Sequence, residues 1–192
     1  MFYKGLNFFL IISIIFLFSN NDLICQSKKK KEELDFHKLY IPNENHDNLK
    51  KFEGTWKFNF EIITTDGPLA GSGVTGNEII NEGRHLKISQ EMNISGIPTK
   101  ILTLIGYDNL KNKYYMFSID NSRTDPLYCE GTYDSKLNQI TFFGTEYDPI
   151  NEKDNKYKIQ ITLERENKYT YKFYSIGENK ENLITVFVYI RL

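Results

Sequence analysis

From Thr55 to the end, the chain repeats one pattern about ten times: a run rich in aromatic and β-branched residues, then a turn signal. The runs are 55–64, 71–81, 84–95, 99–107, 113–120, 127–133, 139–147, 156–164, 168–175 and 183–191. Asp66-Gly67-Pro68, Asn81-Glu82-Gly83, Gly96-Ile97-Pro98 and Asp148-Pro149 are among the separators. Such runs read as strands, and strands at regular short spacing read as a sandwich or an up-and-down barrel. No segment in this region reads as a long helix. Trp56, Phe58, Phe60 and Ile62 share one face, against Lys57, Asn59 and Glu61 on the other. Tyr157, Ile159, Ile161 and Leu163 alternate in the same way. One face of these strands therefore meets water. The last run is apolar on both faces, which fits a strand that is covered by protein or lines a cavity. The 13 Tyr and 14 Phe suit half-buried pleated surfaces. A barrel of ten strands is wide enough to hold a ligand.

The N-terminus reads separately. Lys4 precedes an apolar run, Leu6 to Phe18, broken only by Asn7 and Ser13. A run this short does not reach the ~20 residues a bilayer-spanning helix needs, but it fits a secretory signal. The expected division is a signal peptide over 1–25, a charged linker over 26–43 and one barrel domain over 44–192. A periplasmic or secreted chain follows. Anchoring by lipid on Cys25 is the lesser alternative, because Asp22-Leu23-Ile24 lacks the small residue expected before that cysteine. Removal of 1–25 leaves only Cys129, which reads as a small buried apolar residue. With 24 basic and 25 acidic residues, the net charge of -1 gives no sign of a nucleic-acid partner. The stretch from Asn45 to Phe52 predicts a short helix that ends at Gly54 and plugs one end of the barrel.

Closure of the barrel would make the first and last strands neighbours. Arg191 could then lie over the indole of Trp56, the single tryptophan. Gly54-x-Trp56 on the first strand with Arg191 on the last resembles the calycin signature of lipocalins and fatty-acid-binding proteins. The segment from Asn45 to Trp56, with His46, Leu49 and Gly54-x-Trp56 in order, resembles the opening of the bacterial domain of unknown function 1579 family. Gly83-Arg84-His85-Leu86, Gly96-Ile97-Pro98, Ile105-Gly106-Tyr107-Asp108-Asn109 and Ser118-Ile119-Asp120 continue that resemblance. Glu130-Gly131-Thr132-Tyr133-Asp134 and Phe142-x-Gly144-Thr145 complete it. Departures stand at Glu82, His85 and Phe117. The resemblance implies an all-β, about ten-stranded antiparallel lipocalin-like (calycin) barrel with a short N-terminal helix. It implies no settled activity and no cofactor.

Chemistry-bearing motifs are sparse. His37, His46 and His85 are the three histidines, with no Cys pair and no metal-ligand spacing, so no metal site is expected. Haem, which nitrobindin-like ten-stranded barrels hold through a histidine, lacks an axial ligand on the late strands, since no histidine follows His85. Gly71-Ser72-Gly73-Val74-Thr75-Gly76 is no phosphate loop, because the Lys-Ser/Thr and following helix are missing. It reads as a flexible or bulged strand, where glycine marks close backbone approach or a kink. Arg84, after a glycine turn, is the polar anchor expected for a ligand, with Tyr107, Asp120 and Tyr133 as neighbours. His46 reads as a capping or packing residue beside the structural signature of Gly54, Trp56 and Arg191. The function expected is binding of a small apolar or amphipathic molecule. A chain of about eight buried carbons, at ~0.8 kcal/mol each, would contribute roughly 6 kcal/mol towards micromolar affinity. The alternatives are an enzyme with Arg84 as clamp and Asp120 as base, and a ligand-free envelope interaction module.

Overall fold

A computed structural model describes residues 36–178 and 180–192. The expected signal segment, and the expected linker as far as residue 35, lie outside the described residues. The chain divides into two units, Met1–His37 and Lys38–Leu192. Of the first, only Phe36 and His37 are described, as the opening residues of helix α1 (Phe36–Tyr40). The second is the barrel. It continues α1 and adds helix α2 (Glu44–Lys50). The strands follow: β1 (Gly54–Ile62), β2 (Leu69–Ile80), β3 (His85–Ile94), β4 (Ile97–Asp108) and β5 (Lys113–Asp120). Then come β6 (Leu127–Asp134), β7 (Gln139–Asp148), β8 (Lys153–Arg165), β9 (Lys168–Ile176) and β10 (Glu181–Arg191).

Every strand pairs antiparallel with its sequence neighbour, and β10 pairs with β1 to close the barrel. The expected ten-stranded barrel is therefore the observed one. Its seam aligns Trp56 with Arg191, Phe58 with Tyr189 and Phe60 with Phe187. Alternation decides what each strand buries. Trp56, Phe58 and Phe60 point inward and are buried, while Lys57, Asn59 and Glu61 face solvent. Tyr157, Ile159 and Ile161 do the same on β8.

The glycine-rich stretch of β2 decides between two expectations, a bulge or kink and a close approach. Its pairing with β1 is regular throughout, with no bulge. Gly71 and Gly73 stand opposite Phe60 and Phe58, whose rings occupy the space where a Cβ would be. Close approach, not flexibility, explains these glycines.

Helix α2 closes one end. Its N-cap is Asn43, two residues earlier than the sequence suggests. Its side chain accepts from the Asn45 N–H at 3.0 Å. His46 Nδ1 accepts from the Asn43 N–H at 3.0 Å, completing a capping box. Leu49, fully buried, points into the barrel, as does Phe52 just beyond the helix. The Phe52 carbonyl accepts from Trp56 Nε1 at 3.0 Å and from Asn77 Nδ2 at 2.9 Å. These bonds lock the helix exit to β1 and β2. Among the described residues, no helix is long and apolar enough to cross a membrane.

Candidate functional site

The barrel holds a cavity of about 170 Å³. Cross-strand register builds one of its walls in three rows. Leu86, Ile105 and Met116 form the row nearest α2. Ile88, Thr103, Ser118 and Leu127 form the next. Gln90, Ile101 and Asp120 form the third. Leu49 and Phe52 supply the floor, and Tyr169, Tyr171, Phe187 and Tyr189 the opposite wall. The end of the cavity away from α2 is flanked by Asp120 and by Arg123 of the β5–β6 loop. The Arg123 side chain remains 29% exposed there.

The two walls differ chemically. On β9 and β10, Tyr169 stacks on Tyr189 with centroids 4.1 Å apart, and Phe187 stacks on Tyr189 at 6.0 Å. Burial pushes the hydroxyls of Tyr171 and Tyr189 well up, so both stay protonated. On β3 to β5, Thr103 Oγ1 and Ser118 Oγ lie 2.8 Å apart. Gln90 Oε1 accepts from the Tyr189 hydroxyl at 3.2 Å. One Asp120 carboxylate oxygen accepts from the Ser122 N–H at 2.7 Å and from its hydroxyl.

Charge at the open end is predominantly negative. Arg123 pairs with Glu146 at 2.9 Å and, through Nε, with Asp125 at 3.1 Å. One guanidinium is thus held by two carboxylates, with Asp120 beside it in the cavity wall.

Of the residues expected to converge on a ligand, only Asp120 lines this cavity. Arg84 lies near the other end, on the β2–β3 turn. It donates to the Tyr40 carbonyl at 2.8 Å and to the Asn81 carbonyl at 3.3 Å, and pairs with Glu82 at 3.1 Å. Asn109 Nδ2 donates to the Lys38, Leu39 and Ile41 carbonyls at 3.1, 3.2 and 3.0 Å. The motif residues Arg84 and Asn109 thus hold residues 38–41 against the barrel. Tyr107 packs edge-on against His46 at 5.7 Å and against Tyr114 at 4.9 Å. Tyr133 donates to Asn138 Oδ1 at 2.7 Å and sits under Lys51. The pairing of Arg84 as clamp with Asp120 as base is therefore broken, because the barrel separates them.

The structural residues sit at the α2 end. Arg191 Cζ lies 4.1 Å from the Trp56 ring centroid. Its Nη2 donates to the Lys51 carbonyl at 2.9 Å, its Nε to the Glu166 carbonyl at 3.1 Å, and its Nη1 to the Glu53 carbonyl. Gly54 has φ +122°, and a Cβ there would meet the Arg191 guanidinium at 2.7 Å. Cys129 is buried beside this core, and burial pushes its thiol up to about 12, a range in which it is no nucleophile. Among the described residues, no group of three or more His, Cys, Asp or Glu is placed to hold a metal ion.

Arg123 and Gln90 are the residues that sequence reasoning missed. Arg123 sits in Ser122-Arg123-Thr124-Asp125, which carries only turn chemistry. Gln90 had a signal: it is the polar member of the inward set Leu86, Ile88, Gln90 and Met92.

The model of a family described as "Protein of unknown function (DUF1579)" matches residues 41–191. The chain is similar to the crystal structure of Rv2717c from M. tuberculosis, with 11% identity and a TM-score of 0.59 over 79% of this chain and 99% of that one. A looser likeness, with a TM-score of 0.39 and 14% identity, is to a redesigned beta barrel, mFAP1, bound to DFHBI. It covers 75% of this chain and 98% of that one. No curated protein matches the chain.

Proposed function

The chain belongs to the DUF1579 family of proteins of unknown function, and from that premise we propose that it is an exported barrel that binds one compact, mainly apolar molecule in its lumen. The cavity carries this reading. Its floor is apolar, its far wall aromatic, and its few polar groups gather towards one end. That combination is what small-molecule sites share.

Size restricts the ligand. About 170 Å³ is below the ~300–1,000 Å³ of drug-sized pockets and close to the ~150 Å³ that takes benzene in an engineered apolar cavity. The aromatic side chains of β1, β9 and β10 fill much of the remaining lumen. In place of a chain of about eight buried carbons, the ligand is a molecule near the size of one ring. Burying about six ring carbons contributes roughly 5 kcal/mol, short of the ~8 kcal/mol that micromolar binding requires. Polar contacts must contribute the rest.

Native mass spectrometry of the protein purified from its own compartment tests this directly. A retained small molecule, lost on Leu127→Trp with the fold intact by circular dichroism, is the expected result. Protein that carries no ligand, and takes up no single-ring compound in titration, removes the reading.

Export rests on Lys4 and the apolar run that begins at Leu6. N-terminal sequencing of the mature chain should begin between Ser19 and Ser27. A mature chain that keeps Met1 rules export by cleavage out, and a lipid on Cys25 would make it a tethered barrel.

A further inference from the structure

We infer that the lumen's ligand is a flat, single-ring molecule whose polar end is a cation or a hydrogen-bond donor, in the class of aromatic and heteroaromatic amines. The inference rests on the binding-barrel reading and specifies the chemistry of its ligand.

Gln90 gives the first indication. It is 6% exposed, and its Oε1 is taken by Tyr189. Its Nε2 donates to no described residue. Among the described residues, no fully buried polar side-chain atom lacks a partner. The Gln90 amide nitrogen therefore keeps open space, and the cavity it lines provides that space. A ligand atom that accepts a hydrogen bond fits there in place of water.

Asp120 gives the second. One oxygen is used by Ser122, and the other accepts nothing from the described residues. Asp120 is only partly buried, so a ligand donor can replace the water on that oxygen. Arg123 does not serve, because Asp125 and Glu146 already hold it. An anionic head group would face Asp120 without a free cation to offset the repulsion, and buried charge without a partner is strongly disfavoured. A cation or donor finds its partner already in place.

Shape gives the third. Gln90 and Asp120 stand in one cross-strand row, separated by Ile101. Two strand spacings put their backbones roughly 9–10 Å apart. A six-membered ring with an acceptor near one edge and an amine near another spans that row. Its face meets the stacked rings of Tyr189 and Phe187, which favour offset stacking.

Calorimetric titration at pH 7 and low salt with benzylamine, benzyl alcohol and benzoate tests the inference, since the three share a ring and differ in charge. Benzylamine is expected to bind at least tenfold tighter than benzoate. Asp120→Asn, which keeps an acceptor for Ser122, should shrink that ratio to threefold or less. Benzoate binding as tightly as benzylamine, or a ratio untouched by Asp120→Asn, overturns the ligand class while leaving the lumen reading in place. Binding of none of the three overturns both.

Discussion

Arg191 joins the end of the chain to three backbone carbonyls and one indole, and two of those carbonyls lie where α2 runs out. A cation suits a helix C-terminus, where carbonyls lack partners. Arg191→Ala should cost about 2–3 kcal/mol, combining a cation–π contact with charged hydrogen bonds. Urea unfolding would read this as a lower midpoint at unchanged slope. Arg191→Lys should recover little, since an ammonium cannot serve three carbonyls and a ring face together. His46 belongs to the same end. Burial, together with the charges of His85 and Arg84, holds its imidazole below the ordinary 6.5. A depressed histidine stabilises the fold fully above about 6.5, and that contribution is lost as pH falls towards the folded value. Protonated Nδ1 could no longer accept from the Asn43 N–H. Melting temperature should therefore fall between pH 7.5 and 5, and His46→Gln, which keeps the N3 acceptor of a capping box, should flatten part of that fall. His85, also lowered by burial and by Arg84, should account for a remaining slope. Arg191 and Trp56 are legible in the sequence because chain ends meet in any closed barrel. Arg123 is not, because nothing local distinguishes a loop arginine that faces a lumen from one that faces water.

Strand β2 shows how a sequence leaves an element's reason open until its neighbours are in place. Its glycines look like weakness in the sequence, yet Gly73 is the seat of the Phe58 ring. Gly73→Ala would drive a methyl into that ring and into the Glu91 carbonyl, which overpacking puts at about 1–3 kcal/mol. Thermal unfolding would detect it as a clear loss, whereas Gly67→Ala, where a Cβ meets nothing, should cost only the strain of its φ of +111°. The ten strands are legible because period-two alternation persists through nearly all of them. Helix α1 is not: five residues make little more than one turn, too short for a pattern to stand out, and residues 38–41 are held from outside by Asn109 and Arg84. Asn109→Ala should speed hydrogen exchange at 38–43 and leave β4 protected. Equal protection in the variant would show that Asn109 does not hold the segment.

At the scale of the whole molecule, the cavity is legible only in outline. Strand number predicts a lumen, but how much of it stays open depends on which rings turn inward and how they stack. That is set by tertiary packing among Phe58, Phe60, Tyr169, Phe187 and Tyr189, which no single run encodes. Closure itself has a temporal consequence. Arg191, at the β1–β10 seam, reaches the Glu53 carbonyl 138 positions back along the chain, so the first strand waits for the last before its edge is covered. During synthesis, Trp56 has no permanent cover until Arg191 has left the ribosome. The nascent chain is thereby kept from closing by its own topology until its last strand has emerged. Trp56, as the single indole, makes the event visible: in refolding, its fluorescence should reach the native value only in the slowest phase. Truncation before Val186 should leave it solvent-quenched throughout.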